Sequence, residues 1–195
     1  TRHDSHAALT IKALLAGKHV FVEKPLCLTE DELKDIRSVY EKKAPDGLHL
    51  MVGFNRRFSP HAQEAGRFFA SRVNPLVMLY RINAGRIPAD HWVQHPDIGG
   101  GRLIGEMCHF VDYMQALSAS SPTSVYASRI GRHSSGITDD QCSIVVNFAD
   151  GSIGTDIYTA EGDSELPKER FEAHADGKSL VMNDFVETRT YQDGK

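Results

Sequence analysis

The stretch Ala13-Leu14-Leu15-Ala16-Gly17-Lys18-His19-Val20-Phe21-Val22-Glu23-Lys24-Pro25 decides the fold class of this chain. Leu9, Ala13 and Leu14 give an apolar helical face that follows the cap-forming Asp4 and Ser5, and Gly17 suits the helix end. His19 to Val22 is short, β-branched and aromatic, which predicts a strand that Pro25 stops. Working outward, Thr29-Glu30-Asp31-Glu32 is a capping box, and Leu33, Ile36 and Tyr40 continue at helical spacing. Asp46-Gly47 turns the chain into Leu48–Phe54, a second strand. Helix–strand–helix–strand alternation predicts parallel strands joined by crossover helices. A strand ahead of Thr1 would complete this unit. The chain opens without Met and closes at Asp193-Gly194-Lys195, a turn, so a fragment of a longer protein is expected.

Beyond Phe54 the texture changes. Ser59-Pro60 starts a helix that runs to about Arg72, and Leu76–Ile82 reads as a strand. Gly85–Gly101 is loop-like. Leu103, Met107, Phe110, Met114 and Leu117 then form one apolar stripe on a helix from Arg102 to Leu117. After Pro122, Val125–Ile130 reads as a strand. Cys142, Ile144, Val146 and Phe148 alternate with polar residues, and turns at Asp150-Gly151 and Asp176-Gly177 join further strands. The expectation is an α+β fold: the C-terminal part of an α/β domain with parallel strands over residues 1–57, which the family resemblance given below makes a Rossmann remnant, then an α+β domain over 58–195 with a large, mostly antiparallel sheet.

With 41% hydrophobic and 25% charged residues among 195, the chain has the composition of a globular protein with a sizeable core. A net charge of −4 without a basic stripe argues against a nucleic-acid partner. No apolar run approaches the roughly 20 residues that span a bilayer. Three scattered cysteines, Cys27, Cys108 and Cys142, without a C-x-x-C pair argue against a disulfide scaffold and fit a reducing cytoplasm.

Three segments place polar groups at element ends. Val22-Glu23-Lys24-Pro25 ends the first strand, where open α/β sheets bind ligands. Lys24 there is either a donor to a substrate hydroxyl, able to shuttle protons if desolvated, or a solvated side chain before a turn. Phe54-Asn55-Arg56-Arg57-Phe58 follows the second strand, and its arginines either hold a phosphate or substrate oxygen or cap a domain junction. Gly105-Glu106-Met107-Cys108-His109-Phe110-Val111-Asp112 sets Glu106 and His109 at i, i+3, off the apolar stripe. That pair suits proton transfer at a carbinol oxygen, or else is the polar flank of an amphipathic helix. No third ligand stands at matching spacing, so no metal site is expected. Glycines 99–101 lack the phosphate-loop spacing and read as a helix entry.

In this order and spacing, Thr1…His6, Ala13–Val20, Glu23-Lys24-Pro25, Val52–Pro60, Gly99–Gly101, His109 and Asp112 resemble the glucose-fructose oxidoreductase / inositol dehydrogenase (Gfo/Idh/MocA) family over essentially the whole chain. The resemblance implies a Rossmann domain, here without its G-x-G-x-x-G turn, followed by a mostly antiparallel sheet domain. It implies NAD or NADP as cofactor, a sugar-like small-molecule substrate, and oligomers built through the sheet face. It makes Lys24 and His109 the catalytic pair, puts Thr1, His6, Glu23, Lys24 and Arg56 on the cofactor side, and puts Asn55, Trp92 and Asp112 with the substrate. The implied chemistry is hydride transfer from a secondary alcohol of a sugar, nucleotide-sugar or cyclitol to the nicotinamide. One departure stands out: the family's acid four residues before the histidine falls on Gly105, and Glu106, about 100° round the helix, is the candidate to replace it. Two other readings stay open: a non-catalytic dimerisation or ligand-binding module of a multidomain oxidoreductase, and cofactor-assisted elimination through a transient ketone. Without the glycine-rich turn, this piece alone is expected to bind dinucleotide poorly and to be inactive.

Overall fold

The computed structural model describes residues 1–130 and 140–194; Lys195, the last residue of the expected terminal turn, lies outside them. The chain divides into two compact units, Thr1–Phe54 with Ala89–His109, and Asn55–Pro88 with Phe110–Lys195. The division is discontinuous in the chain: Ala89–His109, which joins the end of the expected loop to the start of the expected helix, groups with the first unit.

In the first unit, α1 (His6–Leu15), β1 (Val20–Val22), α2 (Glu30–Lys43) and β2 (Leu50–Val52) alternate. β1 and β2 pair in parallel, Val20 opposite Leu50 and Val22 opposite Val52. The α1 face that packs inward carries His6, Ala7, Thr10 and Leu14. Leu9, which apolar spacing assigns to the core, is exposed. Burying a histidine and a threonine instead of a leucine places polar groups on the inner face of this helix. α2 starts as the sequence predicts: the Thr29 hydroxyl accepts from the Glu32 amide at 3.2 Å, and the Glu32 carboxylate accepts from the Thr29 amide at 3.2 Å. The Lys24–Pro25 peptide is cis. Gly100 and Gly101 both take positive φ, 74° and 81°, which explains glycine at these two positions. They lead into a π-helical turn, Leu103–Met107, from which α4 (Cys108–Ser118) continues.

The second unit contains α3 (Pro60–Phe68), capped by the Ser59 hydroxyl accepting from the Ala62 amide at 3.1 Å. Its sheet comprises β3 (Val77–Asn83), β4 (Pro122–Arg129), β5 (Gln141–Phe148), β6 (Ile153–Thr159), β7 (Glu169–Ala175), β8 (Lys178–Asn183) and β9 (Glu187–Tyr191). The spatial order is β4-β5-β6-β3-β7-β8-β9. Only the β3–β6 pairing is parallel, so the sheet is mostly antiparallel as expected. The hairpin at Asp176-Gly177 has positive φ at both residues, 51° and 72°. A further hairpin, β8 to β9, turns on Asp184 and Phe185 with φ 50° and 54°. It has no glycine, and the sequence reading therefore has no strand at β9.

One sheet face is covered. Met78, Tyr80, Ile82, Phe171, Leu180 and Met182 are fully buried there with Phe110, Tyr113 and Met114 of α4. The rings of Tyr80 and Phe110 meet at 4.9 Å, and those of Tyr113 and Phe171 at 4.8 Å. The predicted stripe on α4 holds at Met107, Phe110 and Met114, while Leu103 and Leu117 are only half-buried. The physical reason is the π-helical turn. It adds a residue to one turn and rotates the side chains that follow. His109, expected on the polar flank, is 5% exposed as a result.

Candidate active site

Lys24 leaves the C-terminal end of β1 and donates from Nζ to the Gly105 carbonyl at 2.9 Å. Gly105 lies inside the π-helical turn, a geometry that recurs at functional sites because it loosens the backbone hydrogen-bond ladder. His109 follows Gly105 by one helical turn, on the same side of the helix. Its ring meets Phe54, at the end of the second strand segment, edge-on at 6.0 Å. The amine thus engages the π-helical turn four residues before His109. Glu106 shares that turn and stands 3.7 Å from the Arg102 guanidinium.

Thr1, His6 and Glu23 line one cavity of about 450 Å³ together with Thr10 and the length of β1. His6 donates from Nδ1 to the Pro25 carbonyl at 2.7 Å, leaving Nε2 as the basic nitrogen of the neutral ring. Thr10 Oγ1 is buried without a hydrogen-bond partner among the described residues. Gly53 lets the Glu23 carboxylate approach closely: a Cβ there would lie 3.1 Å from Glu23 Oε1. Trp92 packs edge-on against the ring of His3 at 4.8 Å, and the Arg2 guanidinium lies 5.7 Å from the Trp92 ring centre.

The remaining candidates lie in the second unit. Asn55 and Arg56 line a cavity of about 230 Å³ with Ser59, Glu169 and Phe185. The Arg56 guanidinium is bidentate on Glu169 and lies 4.9 Å from the Phe110 ring centre. Tyr80 donates to the same carboxylate at 2.5 Å. Burial works against the Arg56 charge, yet the Glu169 partner more than offsets it and holds the guanidinium above its usual range. Asp112 is bidentate on Arg57; burial pushes its carboxyl up, opposed by that guanidinium. Sequence reasoning missed His3, Arg57's partnership, Glu169 and Tyr80. Glu169 and Tyr80 stand in no motif, and Glu169 is 113 residues from Arg56.

A parallel strand pair with polar groups at its strand ends, next in the chain to a large mixed sheet covered on one face by helices, defines the class of two-domain Rossmann oxidoreductases. Comparison with known proteins agrees. Residues 1–54 match the model for an oxidoreductase family with an NAD-binding Rossmann fold, and residues 75–181 match the GFO/IDH/MocA C-terminal domain. The chain belongs to the GFO/IDH/MocA oxidoreductase family. It is 30% identical to D-xylose 1-dehydrogenase (NADP(+)) 2 of Haloferax volcanii over 75% of this chain and 44% of that protein. It is 30% identical to inositol 2-dehydrogenase of Rhizobium meliloti over 77% of this chain and 46% of that protein. Levoglucosan dehydrogenase in complex with NADH and levoglucosan superposes with TM-score 0.81 at 26% identity, over 97% of this chain and 55% of that one. The chain thus spans about half the length of the relatives it matches, or less. The cofactor class of this family is the nicotinamide dinucleotide. Among the described residues, no helix is long and apolar enough to cross a membrane.

Proposed function

We propose that the protein carrying this chain oxidises a secondary alcohol of a sugar, nucleotide-sugar or cyclitol with NAD or NADP, in the cytoplasm. The observation that supports this reading is the Lys24–Gly105 hydrogen bond, which ties the end of β1 to the helical segment that runs on into His109. The cofactor, when bound, supplies the hydride acceptor. Thr1, His6 and Glu23 hold it along the cavity beside β1, where the buried Thr10 hydroxyl has a hydrogen bond to give. The Lys24 ammonium binds the carbinol oxygen and stabilises charge building on it. His109 takes the hydroxyl proton as the carbinol carbon gives up its hydride, so the products are a ketone, reduced cofactor and a protonated imidazole. Glu106 orients the turn and Trp92 bounds the substrate, while in the second unit Arg56 and Asp112 hold their surroundings through ion pairs.

The test uses the intact protein with NAD+ or NADP+ and a panel of D-xylose, myo-inositol and levoglucosan, reading reduced nicotinamide. At least one alcohol should be oxidised, and Lys24→Met should lower its turnover by about 10²–10⁴-fold. Near-normal turnover in Lys24→Met removes Lys24 from the mechanism.

A specific observation supports self-association. Val77, Ile153 and Ile157 alternate with core residues on β3 and β6 and are 57%, 40% and 41% exposed. Val77 and Ile153 are in register, so their side chains are neighbours on the uncovered sheet face, with Ile157 further along β6 beside Arg81. A homo-oligomer through that face would bury them. Light scattering on the intact protein and on Ile157→Glu checks this: the variant should be smaller.

A further inference from the structure

His3 has no role in the reading above, yet three contacts converge on it. Its Nδ1 donates to the Gly99 carbonyl at 2.8 Å, which makes Nδ1 the proton-bearing nitrogen and fixes the ring plane. Its ring stands against Gly105: a Cβ at that position would lie 3.2 Å from His3 Cε1 and 3.7 Å from Nδ1. Gly105 in turn gives its carbonyl oxygen to the Lys24 ammonium. One residue of the π-helical turn is thus held from two sides, by an imidazole against its Cα and by an amine on its carbonyl. Trp92 covers His3 edge-on at 4.8 Å, and the His6 ring lies 5.7 Å away. The space that a side chain at 105 would need is filled by the His3 ring, which gives a physical reason for glycine there.

We propose that His3 is a positioning residue for Lys24: seated on Gly105 and tied to Gly99, it holds the π-helical turn so that the Gly105 carbonyl receives the Lys24 ammonium, and the charge states of the two side chains are coupled. The groups facing His3 are Lys24 from the end of β1, His6 from α1, Asp4 from its own turn, and Arg2 across Trp92. Burial first, then Lys24 and His6, push the imidazole below its usual range; the Gly99 hydrogen bond and Asp4 oppose them. These influences together favour the neutral imidazole. Acidification puts a second positive charge beside the Lys24 ammonium and loosens its hold on Gly105. The functional part of this proposal rests on the role proposed for Lys24.

The decisive experiment is proton NMR of the His3 Cε1–H signal in the intact protein, without cofactor or substrate, assigned with His3→Gln. His3 should titrate below the ordinary histidine value of about 6.5. In Lys24→Gln its midpoint should rise, because a positive neighbour has gone. An unchanged midpoint overturns the coupling. The second measurement is the pH profile of kcat/KM for the panel alcohol oxidised fastest. The wild type should lose activity on the acid side as His3 protonates. His3→Gln keeps a donor for Gly99 but does not titrate, and should lose the His3 part of that acid limb, leaving the part that His109 sets as the base. His3→Phe fills the same space without the hydrogen bond and should lower kcat several-fold; a wild-type kcat would reduce His3 to filler and overturn its positioning role. If Lys24→Met abolishes turnover while His3→Gln keeps the wild-type profile, the His3 proposal fails and the dehydrogenase reading stands. If Lys24→Met turns over normally, that reading fails, and the NMR midpoints still decide the coupling.

Discussion

Glu169 and Asp156 are two acids on the covered face of one sheet, and they are treated in opposite ways. Glu169 is 5% exposed and accepts from both the Arg56 guanidinium and the Tyr80 hydroxyl. Asp156 is 0% exposed, and neither carboxylate oxygen has a hydrogen-bond partner among the described residues. Burial alone pushes the Asp156 carboxyl well above its usual range. The difference teaches what a core does with a carboxyl. Where a cation and a hydroxyl converge, the buried acid is hydrogen-bonded on both oxygens; where nothing converges, burial alone acts and favours the protonated form. The pairing also decides how Tyr80 behaves: burial first, then the adjoining Glu169 charge, holds its phenol well above the usual range.

Breaking the paired acid should have the largest effect. Glu169→Ala leaves Arg56 buried without a counter-charge, and about 3–5 kcal/mol of stability should be lost in urea unfolding of the intact protein. A loss below about 1 kcal/mol would mean that water replaces the carboxylate and that the two acids are alike after all. Next comes Asp156→Asn. Because the folded-state carboxyl is raised above its unfolded value of 3.8, the wild type is favoured below that pH and loses stability as pH rises through the folded value. Asp156→Asn should remove this slope and be more stable than wild type at pH 7, by about 1–3 kcal/mol. Parallel stability-versus-pH curves for the two proteins would show that Asp156 is not desolvated. Tyr80→Phe sharpens the comparison with the smallest change. It takes one of three hydrogen bonds from Glu169 and should cost about 1.5 kcal/mol, falling toward zero when measured on a Glu169→Gln background.

Several of these features were legible in the chain. The end of the first strand at Glu23-Lys24-Pro25 and the apolar positions Met107, Phe110 and Met114 follow from period and punctuation, which are local properties. So do the capping box at Thr29 and Glu32 and the Asp176-Gly177 turn. The β8–β9 hairpin was not legible, because Asp184 and Phe185 adopt positive φ without the glycine that signals it. Phe185 is held there by packing: its ring meets His61 at 6.2 Å and Tyr113 at 6.1 Å. Arg56 read as a ligand for phosphate or substrate, and its engagement with Glu169 lies beyond any spacing rule.

The sequence by itself determined which stretches become the helices and most of the strands, because caps, turns and hydrophobic period act over a few residues. It also determined the family, because Glu23-Lys24-Pro25 and His109 keep their order and spacing. Only the tertiary structure decided that His3 stands where a side chain at 105 would go, that Arg56 belongs to Glu169, and that Asp156 has no partner. These depend on which distant groups meet inside a closed volume, where an unmatched charge is costly, and no local pattern encodes that meeting.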